Sequence, residues 1–209
     1  MLQIFDMLFP PREDEVQLRG VTNDFFLSAL TPHTVNVTQP ETIALLPFHE
    51  PIVRSAIHEA KYHGSSQAFS LLAMALSEYL SISDDTEQQV SHLIPIPLGT
   101  QRRKERGFNQ TEEVLRRALH LLSKIGADSF SIDTDLLQRT RETPSQVSLP
   151  RHMRKENMRG AFIASRPANP NHTYILIDDV LTTGATLQSA INALRAAGAT
   201  QIIPLALAH

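Results

Sequence analysis

The stretch Tyr174-Ile175-Leu176-Ile177-Asp178-Asp179-Val180-Leu181-Thr182-Thr183-Gly184-Ala185-Thr186 limits the possible folds more than any other part of the chain. Its apolar start reads as a buried strand that runs into a polar turn. Leu187, Ala190, Ile191 and Leu194 then recur at helical spacing, and Gly198 closes that helix. Ile202, Ile203, Leu205 and Leu207 supply a further strand. Strand, helix, strand in that order, joined by a right-handed crossover, predicts a parallel α/β sheet.

At roughly 150 residues per domain, 209 residues leave room for one domain with an appendage. Apolar residues make up 42% and charged residues 20%, enough to bury a sizeable core and to exclude wholesale disorder. A net charge of -3 argues against coating duplex DNA or a membrane through charge alone. Cysteine is absent, which excludes disulfides, thiolate zinc sites, iron–sulfur clusters and a thiol nucleophile. No apolar run is long enough for a spanning helix, and Met1 to Phe9 lacks the basic start of a signal peptide, so a cytoplasmic protein without membrane insertion is expected.

Pro10, Pro11, Pro32, Pro40 and Pro47 break the front of the chain into short pieces. Residues 1–50 are therefore expected to form a small irregular appended unit that folds against the main domain, residues 51–209, through Phe5, Leu8, Phe9, Phe25 and Phe26. From Ile52 the pattern is helical, with Val53, Ala56, Ile57 and Ala60 on one face and Gly64 as the terminal cap. A second helix starts at Ser65 or Ser66 and carries Ala68, Leu71, Leu72, Ala75, Leu76, Tyr79 and Leu80 inward. Leu93, Ile94 and Ile96 make a short strand that must end at a sheet margin, because Pro95 and Pro97 cannot donate to a ladder. A basic loop follows. Asn109 with Glu112 marks a helix start, and residues 123–160 have no sustained period.

In open α/β sheets ligands bind beyond the carboxyl ends of the strands, where this order of elements puts Asp178, Asp179 and the turn. The turn offers the hydroxyls of Thr182, Thr183 and Thr186, backbone N–H groups freed by Gly184 and the positive end of a helix dipole, which are the parts of a phosphate cradle. The lysine of a Walker A loop is missing, and no GxGxxG fingerprint occurs. Two acids beside a phosphate would repel it unless they hold sugar hydroxyls or Mg²⁺, so the combination suggests a ribose 5-phosphate carrying further phosphate. His58 and His63 are five apart, which is not a metal-ligand spacing, and no Ser-His-Asp arrangement is supported.

Residues 1–50 carry two basic and seven acidic side chains, whereas residues 100–159 hold thirteen of the nineteen cations. The densest part is Arg102, Arg103, Lys104 and Arg106, which suits either a solvated surface or a polyanion-binding face.

Taken together, these strings resemble a known family. Ile175 to Thr186 is similar to the 5-phosphoribosyl-1-pyrophosphate (PRPP) loop of the type I phosphoribosyltransferases. Leu93-Ile94-Pro95-Ile96-Pro97-Leu98, followed by Arg102-Arg103-Lys104-Glu105-Arg106-Gly107-Phe108-Asn109-Gln110, resembles the ComF family of competence-associated phosphoribosyltransferase-like proteins. Lys61-Tyr62-His63-Gly64, Arg139, Thr143, Gln146, Arg154, Asn157 and Phe162 also fall where that family has them. The likeness covers roughly residues 52–209. ComF proteins commonly begin with a cysteine-rich zinc ribbon after a "LFPP"-like start; here Leu8-Phe9-Pro10-Pro11 is present without the cysteines, and no zinc is expected.

The resemblance implies a type I phosphoribosyltransferase fold, with a mostly parallel twisted sheet flanked by helices. By it Asp178 and Asp179 are the catalytic acids, holding ribose hydroxyls directly or through Mg²⁺. Val180, Leu181, Thr182, Thr183, Gly184, Ala185 and Thr186 bind the 5-phosphate. Pro97, Leu98 and Gly99 form a pyrophosphate loop continued by a basic patch, Arg102, Arg103, Arg106, Asn109 and Gln110. Arg139, Thr143, Gln146, Arg154 and Asn157 sit in a flexible loop over PRPP. The implied activity is phosphoribosyl transfer with PRPP or a ribonucleotide and Mg²⁺, its acceptor base or amine left open. The alternative is a non-catalytic protein that assists the competence machinery in handling single-stranded DNA. A homo-oligomer is compatible with either. Glutamine hydrolysis, the partner reaction of an amidophosphoribosyltransferase, is not expected of a chain without cysteine.

Overall fold

The computed structural model describes residues 12–82, 90–140, 158 and 160–209. In chain order its strands are β1 (His33–Val35), β2 (Thr42–Leu46), β3 (Ser91–Pro95), β4 (Phe130–Ile132), β5 (Leu137–Arg139), β6 (Phe162–Ala164), β7 (Thr173–Val180) and β8 (Gln201–Ala208). The helices are α1 (Glu13–Leu18), α2 (Asn23–Leu27), α3 (Pro51–His58), α4 (Ser66–Ile82), α5 (Thr100–Arg106), α6 (Gln110–Lys124) and α7 (Ala185–Ala196), with a π-helical turn, Glu59–His63, between α3 and α4. The main sheet has the order β1-β2-β8-β7-β3-β4 and is parallel except for β1, while β5 and β6 form a separate antiparallel pair.

Successive side chains of a strand point to opposite faces, and β7 buries both. Ile175 and Ile177 join Leu72, Leu76, Leu115 and Leu122 of α4 and α6 in one core cluster. Tyr174 and Leu176 join Leu187, Ala190, Ile191 and Leu194 of α7 in the other. This two-sided cover is why the strand is a continuous apolar run rather than an alternating one. Both faces being dry, the polar end of β7 stands out at the sheet's carboxyl edge.

The helix starts at Asn109 and Ser65 are as expected: the Asn109 side chain accepts from the Thr111 N–H, and the Ser65 hydroxyl accepts from the Ala68 N–H. Other expectations need correction. The boundary at residue 50 cuts through one body, because β2 pairs in parallel with β8 and brings β1 with it. Its prolines punctuate strands instead of excluding them: Pro32 precedes β1, Pro40 lies in the connecting turn and Pro47 follows β2. Phe26 is fully buried as expected, but Phe25 is 57% exposed; Phe5, Leu8 and Phe9 lie outside the described residues. The basic loop is a helix, α5, over most of its length. Finally, β3 lies inside the sheet between β7 and β4; its Pro95 is tolerated as the last strand residue.

Candidate functional site at the carboxyl edge of the sheet

A cleft of about 1110 Å³ opens at the carboxyl ends of β3 and β7. It is lined on one side by Asp178, Asp179, Val180, Leu181, Thr182, Gly184, Ala185 and Thr186, and on the other by Arg54, His58, Lys61 and Tyr62. Pro97, Leu98, Arg102, Arg106, Gln110 and Arg139 complete the wall. Of the expected phosphate-loop residues, Thr183 is the exception: it is buried, and its hydroxyl accepts from the Ala185 N–H at 3.5 Å. Gly99 is buried as the residue that starts α5, and Arg103 is exposed away from the lining. Thr143, Gln146, Arg154 and Asn157 lie outside the described residues.

The turn before α7 depends on Gly184. Its φ of 70° is left-handed, and a Cβ there would lie 2.8 Å from Val37 Cγ2 and 2.9 Å from Thr38 Cγ2. The β1–β2 connection thus presses against the helix start, and the Gln188 side chain accepts from the Gln39 N–H at 2.7 Å to hold it there.

Both carboxylates are tied into the backbone: Asp178 Oδ1 accepts from the Asp179 N–H at 2.9 Å, and Asp179 Oδ1 from the Val180 N–H at 2.7 Å. Their electrostatics then diverge. Burial raises the Asp178 carboxyl to about 7, with the neighbouring Asp179 charge adding to it and Lys61 opposing it. Burial also acts against the Asp179 charge, but the Lys61 ammonium at 2.8 Å, the Gln110 amide at 2.8 Å and the Val180 N–H outweigh it and hold this carboxyl below its ordinary range. Two adjacent acids are therefore pushed in opposite directions, Asp178 toward holding its proton and Asp179 toward releasing it.

Gln110 links these acids to the basic helix, since Arg106 Nη1 donates to its Oε1 at 2.9 Å and the Arg106 guanidinium lies 5.2 Å from the Tyr62 ring centroid. Asn109 Nδ2 donates to the Ile96 carbonyl at 3.1 Å, pinning the turn after β3 to the start of α6. Phe108 packs 3.2 Å from the Cβ position of Gly64, so the Lys61–Gly64 and Arg106–Gln110 strings, remote in sequence, are in contact. Lys61 is the cleft residue that the sequence alone underrates: a cation at a helix end is favourable for the dipole alone, and its string was the sole signal.

The phosphoribosyl transferase domain family matches residues 91–208. The chain is 31% identical over 159 residues to DNA utilization protein YhgH of Shigella flexneri, covering 74% of this chain and 66% of that one. It is 30% identical over 112 residues to Competence protein F of Haemophilus influenzae, covering 53% and 46%. It thus spans just under two thirds of the length of the first relative and under half of the second. A hypoxanthine phosphoribosyltransferase structure from Staphylococcus aureus has 15% identity, a TM-score of 0.37 and coverage of 66% of this chain and 61% of that one. With the family match running from β3 to β8 and most of the described motif residues gathered on one cleft, the chain belongs to the phosphoribosyl transferase domain family, among its ComF-type members.

Proposed function

We propose that the cleft binds PRPP or a ribonucleotide 5-phosphate together with Mg²⁺ and catalyses phosphoribosyl transfer in the cytoplasm. The observation that carries this reading is the meeting, in one cleft, of a helix N-terminus with Thr182 and Thr186, a carboxylate pair, and Arg102, Arg106 and Arg139. Such a site suits a sugar with phosphate at one end and pyrophosphate at the other. Mg²⁺ keeps several waters and is commonly held by one or two carboxylates plus substrate phosphates. Asp178 fits that use, whereas Asp179 is already engaged by Lys61 and Gln110. No cluster of three His, Asp or Glu side chains able to hold a metal occurs among the described residues, so the ion's remaining ligands would come from substrate and water. When bound, Mg²⁺ would neutralise charge on the departing pyrophosphate.

In this reaction the bond from C1 of the ribose to pyrophosphate breaks and a bond from C1 to the acceptor forms, with positive charge developing on the ring between the two. No protein nucleophile is needed. The N–H groups at the start of α7 would hold the 5-phosphate, Asp178 the ribose hydroxyls, and Arg102 and Arg106 the pyrophosphate, so the chain contributes position and electrostatics. Converting Asp178 and Asp179 to Asn together is expected to abolish Mg²⁺-dependent PRPP binding measured by calorimetry, with the circular dichroism spectrum unchanged. Unchanged affinity in that folded variant would refute the reading.

A second reading, non-catalytic handling of single-stranded DNA, is favoured by the exposed Arg103 and Lys104 of α5 and by what the relatives are called. Neutralising each phosphate contact should change the logarithmic salt slope of single-strand binding by roughly 0.7. A triple Arg102, Arg103 and Arg106 to Ala variant with the parent's affinity and slope would dismiss it.

A further inference from the structure

Lys61 belongs to the π turn, a wound-out segment of a kind that often marks functional sites. Its neighbour two residues earlier, Glu59, has a side chain only 1% exposed. A carboxylate taken out of water in this way is costly unless it is paired and hydrogen-bonded. Arg12 does both, with Nε donating to Glu59 Oε1 at 2.8 Å and Nη2 to Oε2 at 2.8 Å. The same short N-terminal segment holds the preceding turn as well: the Asp14 carboxylate meets His58 Nδ1 at 2.7 Å and accepts from the Ser55 hydroxyl at 2.8 Å. Ser55, His58 and Glu59 are spaced i, i+3, i+4, one face of α3 continued into the π turn.

From the other side, the turn is closed by the Ser65 N–H on the Glu59 carbonyl at 3.2 Å and by Gly64 in a left-handed conformation, φ 62°, against the Phe108 ring. An apolar pair at positions 12 and 59 could supply packing; what a bidentate pair adds is a fixed direction and distance. What it fixes is the base from which Lys61 Nζ reaches Asp179 Oδ2.

We propose that Arg12 is a positioning residue of the phosphoribosyl site, acting through Glu59 and the π turn to keep Lys61 against Asp179. Lys61 balances one of two adjacent acids, so an incoming polyphosphate meets less negative charge than the sequence suggests. Release of Lys61 would leave that repulsion uncompensated and weaken binding. This inference rests on the phosphoribosyl reading for its consequence, but its first link concerns Lys61 alone.

The test is competitive reductive methylation of the full chain, with each lysine followed by peptide mass mapping. Arg12→Met removes the anchor but strands a buried charge, so Arg12→Met with Glu59→Gln is the second variant, which keeps the volume and removes both charges. Lys61 is expected to label several-fold faster in both, while the exposed Lys104 and Lys124 keep their rates. Lys104 and Lys124, already in solvent, calibrate the reagent, and a general loosening of the fold would show instead as a lost near-ultraviolet circular dichroism signal. Calorimetry with PRPP and Mg²⁺ should show weaker binding in the double variant and no further loss when Lys61→Met is added, because the residues act through one contact. Unchanged Lys61 labelling in the folded double variant overturns the proposal. Fully additive losses on addition of Lys61→Met overturn it as well. Faster labelling in a protein whose parent form does not bind PRPP supports the link from Arg12 to Lys61 and overturns the phosphoribosyl reading instead.

Discussion

The two walls of the cleft are built by opposite means. The wall from β7 to α7 is a single run of chain in which strand, turn and helix follow one another, and its shape comes from local geometry, above all the left-handed Gly184. The facing wall, α3 and the π turn, is held to α1 behind it by side-chain pairs between separate elements: Arg12 with Glu59, Asp14 with His58, Ser55 with Gln17. A locally built wall resists change outside itself, whereas a wall of distant pairs transmits it. The N-terminal region is thus part of the site's framework and no mere attachment to it.

That contrast can be broken most forcefully at Phe26, which is fully buried in the core cluster containing α4. Phe26→Ala should cost about 3–5 kcal/mol in denaturant unfolding, whereas Phe25→Ala, at a 57% exposed position, should stay within roughly 0.5 kcal/mol. Equal small effects would mean that the N-terminal region does not share the main core. Gly184→Ala attacks the local wall. A left-handed alanine pressed against Val37 and Thr38 should cost roughly 2–4 kcal/mol and weaken phosphate binding, read by thermal unfolding and phosphate titration.

The smallest expected effect concerns the acids themselves. Asp178 has its carboxyl raised to about 7 by burial and by Asp179, so folding favours its protonated form. The stabilising contribution of that form is complete below pH 4 and is lost as pH rises through 7. Asp178→Asn keeps an acceptor for the Asp179 N–H and has no charge to bury. Its unfolding free energy should therefore exceed the parent's by roughly 1–2 kcal/mol at pH 8, with the gap closing toward pH 4. A gap that widens on acidification would reverse the assignment of the two carboxyls.

The same contrast explains what could be read from the sequence. The segment from β7 to α7 was legible because its chemistry and its conformation are encoded by neighbouring residues. Lys61 was visible as a string but not as a partner of Asp179, and Gln110 reaches Asp179 across 69 positions, a pairing that no local pattern encodes. Helix α5 escaped because Thr100 to Arg106 contains no apolar residue and buries none, leaving no period to detect. Strands β4 and β5 escaped for a different reason, three residues being too few to establish alternation. The prolines at 32, 40 and 47 misled because a proline is readily accommodated just before a strand, just after it or in the turn between two strands.

The main sheet is bounded on both sides by three-residue strands, β1 and β4. An edge that short exposes few unpaired backbone groups, too few to template the addition of a foreign strand. The protein therefore keeps a dry, strongly apolar sheet without offering it as a surface for edge-to-edge aggregation. Among the described residues, self-association at the main sheet is left to side chains on its helices and loops, where single substitutions can tune or abolish it.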